Sequence, residues 1–105
     1  IHPSLLPKYK GLNTHERAIK NGEKFSGCTV HYVSSKLDSG KIIKKKRVKI
    51  LKKDTPNSLK KRILREEHIL YPKAVKKVCA NLWRKNLSQF LRFLGYLNHE
   101  QSFYL

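Results

Sequence analysis

Gly27-Cys28-Thr29-Val30-His31-Tyr32-Val33 is a run rich in β-branched and aromatic residues, opened by glycine and followed by a polar stretch, Ser34-Ser35-Lys36-Leu37-Asp38-Ser39-Gly40. That composition predicts a strand with Val30 and Tyr32 on one face, then a loop. Downstream, Ile42-Ile43 resumes strand character, and Val48 and Ile50 alternate with polar residues between Arg47 and Leu51. Upstream, Pro3, Pro7 and Gly11 make residues 1–12 a loop. Asn13 or Thr14 can then cap a helix, with Glu16 completing a capping-box-like pattern, Ala18 and Ile19 facing inward and Asn21-Gly22 closing it. Thr55-Pro56 is a cap followed by proline at the first helical position, and it predicts a helix to about Tyr71. Pro72 is expected to kink or end that helix. A last amphipathic helix is predicted over Leu82 to Leu97, with Leu87, Phe90, Leu91 and Leu94 on its apolar side. The order helix, strand, strand, helix, helix points to an α/β chain without internal repeats.

The 105 residues allow at most one domain with a modest core. Hydrophobic residues at 39% and charged residues at 30% suit a globular chain. Apolar runs are only a few residues long, far below the ~20 that a membrane-spanning helix needs. The two cysteines, Cys28 and Cys79, form no CxxC and read as reduced thiols of a cytoplasmic protein. Lys and Arg number 24 against seven acids, a formal charge of +17. The clusters Lys44-Lys45-Lys46-Arg47, Lys52-Lys53, Lys60-Lys61-Arg62 and Lys76-Lys77 are interleaved with apolar residues at structural spacing, as solvated faces are. No zinc-finger, recognition-helix or base-stacking motif accompanies them. Nucleic acid is therefore not expected as the primary partner, and neither is a membrane. The positive field instead suits small anionic substrates.

Three polar side chains offer chemistry. His2 lies in the proline-bounded segment Ile1-His2-Pro3-Ser4-Leu5-Leu6-Pro7, and Asp38 lies in the loop after the first predicted strand. A carboxylate beside an imidazole favours its charged form, so the two could present a proton donor if both loops reach one sheet edge. His31 falls on the strand face opposite Val30 and reads more simply as a packed or exposed histidine. His15, His68 and His99 show no metal-ligand spacing with one another or with the cysteines, and no metal is expected.

Ile1-His2-Pro3-Ser4-Leu5-Leu6-Pro7 followed by Tyr9-Lys10-Gly11-Leu12 resembles the active-site segment of the folate-dependent formyltransferases. Gly27 to Val33, then Leu37-Asp38-Ser39-Gly40, is similar to that family's second signature, which carries its aspartate. Gly11-Leu12-Asn13-Thr14-His15 and Glu67-His68 with Tyr71-Pro72 resemble the glycinamide ribonucleotide branch. The resemblance covers residues 1 to about 78. It implies the C-terminal half of a doubly wound, Rossmann-like α/β sheet with the N-terminal half absent, and a divergent amphipathic helical tail over residues 79–105.

The resemblance further implies transfer of a formyl group from 10-formyltetrahydrofolate to the amine of glycinamide ribonucleotide, a step of purine (IMP) biosynthesis, with no metal. His2 would be the proton donor that stabilises the oxyanion, a contribution worth ~3–4 kcal/mol when one donor is lost. Asp38 would raise the pKa of His2 and help move protons. Tyr32, Val33, Ser34, Ser35, Lys36 and Leu37 would line the folate pocket, and Glu67 would hold the ribonucleotide. Ser35 departs from the acidic or larger residue usual there. The family's Gly-rich phosphate loop and an asparagine that precedes the Ile1 position lie outside this sequence, so the chain is expected to be a fragment with impaired activity alone. A deformylase, a methionyl-tRNA formyltransferase and, more distantly, a basic nucleic-acid-binding protein are the alternatives.

Overall fold

The computed structural model describes residues 1–100. Its elements are α1 (Thr14–Lys20), β1 (Phe25–His31), β2 (Ile42–Lys49) and α2 (Pro56–Glu100). The chain divides into two units, residues 1–74 and the residues from Val75 onward. The α/β class expected from the sequence is the one observed. Among the described residues its sheet is an antiparallel pair, β1 with β2, in register Phe25↔Lys49 through Val30↔Lys44.

β1 is buried from Ser26 to Val30, without the alternation of a strand that has one wet face. On one side Cys28 and Val30 pack with Leu59, Ile63, Leu70 and Ala74 of α2, and Ile43, Val48 and Ile50 close the edge of that core. On the other side Thr29 receives the opening segment. Its Oγ1 donates to the Ser4 carbonyl at 2.7 Å and accepts the Leu6 N–H at 3.1 Å. The main chains of His2 and Thr29 also exchange two hydrogen bonds of 2.8 Å. Segment 1–7 is thus held on β1 by backbone bonds on both sides of His2, although the Leu6–Pro7 bond is cis.

α2 begins where Thr55-Pro56 predicts. Thr55 and Ser58 cap it reciprocally: the Ser58 N–H donates to Thr55 Oγ1 at 3.2 Å, and the Thr55 N–H donates to Ser58 Oγ at 2.9 Å. Asp54 accepts from Ser58 Oγ at 2.7 Å and from the Leu51 N–H at 2.7 Å, and it is paired with Arg62. The connection from β2 into α2 is therefore fully hydrogen-bonded.

Three local expectations are corrected. Pro72 does not end a helix, and the two predicted helices are one, Pro56–Glu100. The missing N–H at Pro72 removes one bond of the ladder, while Leu70 and Ala74 on either side are buried in the core and hold the turn in place. Asn13 stands at the start of α1 in the left-handed region (φ 56°), and its side chain makes no capping bond. Thr14 Oγ1 bonds the Pro3 carbonyl at 2.7 Å, and Arg17 ties down the carbonyls of Lys10 and Leu12. Tyr32 does not share the core face with Val30. β1 ends at His31, beside a register irregularity, and Tyr32 lies beyond it, exposed. In the predicted final helix Leu87 and Leu91 are exposed, whereas the Phe90 side chain and the end of the tail fall outside the described residues.

Candidate active site

Asp38 is reached by a loop whose path leaves little choice of residue. Gly40 lies so close to the end of β1 that a Cβ there would stand 1.6 Å from the Tyr32 carbonyl oxygen. The Tyr32 N–H donates to the Lys41 carbonyl at 2.9 Å, closing the loop at its base. Asp38 itself adopts the left-handed region (φ 48°), a conformation tolerated by Asp and concentrated at functional sites. The carboxylate is thereby turned back over the opening segment, where Oδ2 accepts the Gly11 N–H at 2.8 Å. Gly11 supplies that N–H from φ 85°, a backbone state that suits glycine.

Two histidines flank this carboxylate. His2 Nδ1 stands 3.4 Å from Asp38 Oδ2, and His31 Nε2 stands 3.8 Å from Asp38 Oδ1. Each ring is oriented through its other nitrogen by a main-chain carbonyl, His2 Nε2 by Tyr9 at 2.8 Å and His31 Nδ1 by Tyr32 at 2.8 Å. His2 is buried, and the His31 and Asp38 side chains are 11% and 13% exposed, so the group sits at the edge of solvent rather than in bulk water. The structure brings together His2 and Asp38, which the sequence singled out, and adds His31, the third candidate, which the sequence read more simply as a packed or exposed histidine. The signal for His31 was its position at the last residue of the strand that leads into the Asp38 loop.

Glu67 lies apart from this group, on α2. With Ile1, Leu64, His68, Tyr71 and Pro72 it lines a cleft of about 570 Å³ adjoining the residue before His2. Burial pushes the Glu67 carboxyl up, against the opposing positive charge of His68, the terminal amine and His2. His15 also feels His2. Burial lowers its pKa, with Lys60 and His2 adding to the effect, and its Nε2 is buried without a hydrogen-bond partner. An equally large cleft, about 570 Å³, lies at the other end of β1 between Leu5, Lys8, Phe25, Lys45 and Arg47, and holds none of the His2, His31 and Asp38 group. We place the candidate site at the histidines because two imidazoles there converge on one carboxylate at the edge of solvent. Among the described residues, no group of His, Cys, Asp or Glu is arranged to hold a metal ion.

Residues 32–37 are exposed, and Val33 and Leu37 present apolar surface to solvent beside Asp38. Leu12 adds to that surface at 84% exposure.

A buried histidine and a carboxylate at the edge of solvent, held on two glycine-shaped loops against a strand–helix core, are an arrangement chemically able to exchange protons. The family description "Formyl transferase" matches residues 1–75, and the chain belongs to that family. The chain is 43% identical over 72 residues to the phosphoribosylglycinamide formyltransferase of Escherichia coli, covering 69% of this chain and 34% of that protein. It is 48% identical over 86 residues to the trifunctional purine biosynthetic protein adenosine-3 of Chironomus tentans, 82% of this chain and 6% of that protein. The crystal structure of phosphoribosylglycinamide formyltransferase from Anaplasma phagocytophilum superposes with a TM-score of 0.70 at 56% identity, over 71% of this chain and 37% of that one. The chain thus spans about a third of the single-activity relatives it matches.

Proposed function

We propose that this chain carries the formyl-transfer half-site of a phosphoribosylglycinamide formyltransferase, passing a formyl group from 10-formyltetrahydrofolate to the amine of glycinamide ribonucleotide in purine biosynthesis in the cytoplasm. The observation that carries the proposal is the 3.4 Å approach of His2 Nδ1 to Asp38 Oδ2, in a segment belonging to a formyl transferase family.

The chemistry follows from the geometry. Attack of the neutral amine on the formyl carbon builds negative charge on the formyl oxygen, and a hydrogen-bond donor aimed at that oxygen lowers the barrier. His2 Nε2 is engaged by the Tyr9 carbonyl at 2.8 Å. Nδ1 has the longer contact and is the nitrogen that serves the reacting group. Asp38, its backbone anchored by the loop and its Oδ2 by Gly11, keeps a carboxylate next to that nitrogen, accepts the proton leaving the amine and returns it to the tetrahydrofolate nitrogen as the bond from that nitrogen to the formyl carbon breaks. His31 stands on the carboxylate's other oxygen and orients it. The exposed apolar surface of Leu12, Val33 and Leu37 suits the flat ring of the folate, with the main chain of residues 32–37 offering polar groups at its edge. Glu67, in the cleft beside Ile1, holds the cationic or hydroxylated part of the ribonucleotide. Residues 1–78 act as part of the catalytic domain, and residues 79–105 are an appended segment whose described part, to Glu100, is helical.

The test is fragment complementation. The chain is combined with the portion of the Escherichia coli relative that it does not span, and formyl transfer from 10-formyltetrahydrofolate is measured with glycinamide ribonucleotide, water and aminoacyl-tRNA as acceptors. Transfer to the ribonucleotide that collapses in His2→Ala supports the reading. Preferential hydrolysis, or preferential transfer to aminoacyl-tRNA, assigns the chain to a different formyl-handling enzyme. Turnover untouched by His2→Ala overturns the role given to this residue.

A further inference from the structure

The family match ends at Val75, and beyond it the surface of α2 has a pattern of its own. At 3.6 residues per turn, Val75, Leu82, Trp83, Leu87 and Leu91 fall within roughly 180° of the helix circumference. All five are exposed, Trp83 at 66% and Leu91 at 58%. Lys77, Arg84, Lys85 and Arg92 occupy the remaining side. Lys76 is the cation that falls within the apolar arc, and its long stem can carry the ammonium towards the edge. No Asp or Glu occurs between Val75 and His99.

That charge pattern selects the occupant. A second copy of the helix would set cation against cation, with no carboxylate between Val75 and His99 to pair across the seam as self-associating helices require. A nucleic-acid strand would neutralise the cations and leave Trp83 and the leucines in water. No helix of the described residues is long and apolar enough to cross a membrane. An amphipathic helix with Trp and Leu on one face, and Lys and Arg as the charged residues of the other, matches the plane of an anionic bilayer, where acyl chains take the apolar arc and headgroups take the cations.

We propose that α2 from Val75 onward binds anionic phospholipid surfaces, lying in the interface with Trp83 and its apolar neighbours towards the acyl chains. This sets a lipid partner against the sequence-based expectation of none, and it does not depend on the formyl-transfer reading.

Trp83 is the single tryptophan of the chain and reports directly on the helix. The full chain is titrated with vesicles of phosphatidylcholine alone and with vesicles of about three parts phosphatidylcholine to one of phosphatidylserine. The expected result is a blue shift of Trp83 emission and protection from aqueous quenchers with the anionic vesicles only, weakening as salt rises. Leu87→Glu with Leu91→Glu, both at exposed positions, abolishes the shift. Arg84→Gln with Lys85→Gln and Arg92→Gln lowers vesicle affinity about tenfold or more. Four results overturn the proposal. One is an equal shift with neutral vesicles. A second is a shift that follows protein concentration without lipid, which reports self-association. A third is the same shift on adding a short RNA in place of vesicles. The last is undiminished vesicle binding by the Leu87→Glu/Leu91→Glu chain, which assigns binding to lysines elsewhere.

Discussion

His2 and Asp38, 36 positions apart in the chain, face each other across 3.4 Å between Nδ1 and Oδ2. The contact depends on three main-chain anchors: the paired hydrogen bonds of His2 with Thr29, the Tyr9 carbonyl on Nε2, and the Gly11 N–H on the carboxylate. Of the three, the His2–Thr29 pairing is made by main-chain atoms alone, so it persists when either side chain is replaced, whereas the other two depend on the His2 ring and the Asp38 carboxylate.

Asp38→Asn keeps an oxygen for the Gly11 N–H and removes the charge facing both histidines. In the complemented enzyme, kcat falls by about 10²–10³-fold, the range seen when one charge-stabilising group is lost, and KM for the ribonucleotide changes little. Steady-state kinetics with thermal unfolding as a control check this. A matching loss in unfolding midpoint would assign Asp38 to structure instead.

Glu67 links stability to function in the opposite direction. Burial raises its carboxyl pKa above the ordinary value, so the folded state disfavours the charged form. Its contribution to stability is full below the unfolded pKa, declines as pH rises through the folded pKa and stays reduced at neutral pH. Glu67→Gln therefore raises the urea midpoint at pH 7 and flattens its change between acid and neutral pH, while KM for the ribonucleotide rises. Urea titrations across that range, paired with kinetics, read both effects.

Asp54 contributes stability of the usual carboxylate sign. The hydrogen bonds of Arg62 hold its carboxyl well below the ordinary range, with desolvation opposing and the Leu51 N–H and Ser58 hydroxyl assisting. This stability is present above the unfolded pKa of about 4 and is lost as pH falls through the lower folded value. The Asp54 side chain is 3% exposed and Arg62 is partly covered, so the pair is not a freely solvated one. Asp54→Asn costs about 1–3 kcal/mol at neutral pH, the scale of hydrogen bonds to charged groups. Below the acid transition its midpoint converges on that of the unaltered chain. Denaturant titrations at both ends of the range measure the difference.

The two thiols differ sharply in reactivity. Cys28 is buried between β1 and α2, and desolvation first, then the charges of Glu67 and Glu66, push its pKa up to about 11, with Lys46 opposing. Cys79 is exposed. A thiol reagent in mildly alkaline buffer labels Cys79 at once and Cys28 only on unfolding. Leu59→Ala, which removes a fully buried neighbour of Cys28 at about 2–5 kcal/mol, speeds the slow phase. Equal labelling rates in the native protein would contradict the packing described.

Much of the path through the chain is legible locally. The strand run from Gly27, the alternation that places Val48 and Ile50 inward, and the Thr55-Pro56 start of α2 are set by neighbours a few residues away, and they stand in the structure. Local pattern fails where a distant partner intervenes. Pro72 reads as a breaker, yet burial of Leu70 and Ala74 carries the helix past it. Asn13 reads as a capping side chain, yet Thr14 and Arg17 tie down that loop by other bonds. His31 reads as a bland strand residue because its partner, Asp38, arrives through a loop closed at Gly40 by contact with Tyr32.

The sequence by itself determined the order of elements up to the start of α2, the strong positive charge and the two motifs that mark the formyl transferase family, because each is a property of composition or short-range spacing. Only the tertiary structure decided that Asp38 stands between His2 and His31, and that one helix runs on through Pro72. Both outcomes rest on which distant surfaces meet. That is settled by main-chain hydrogen bonds, loop closure and burial acting across the whole chain.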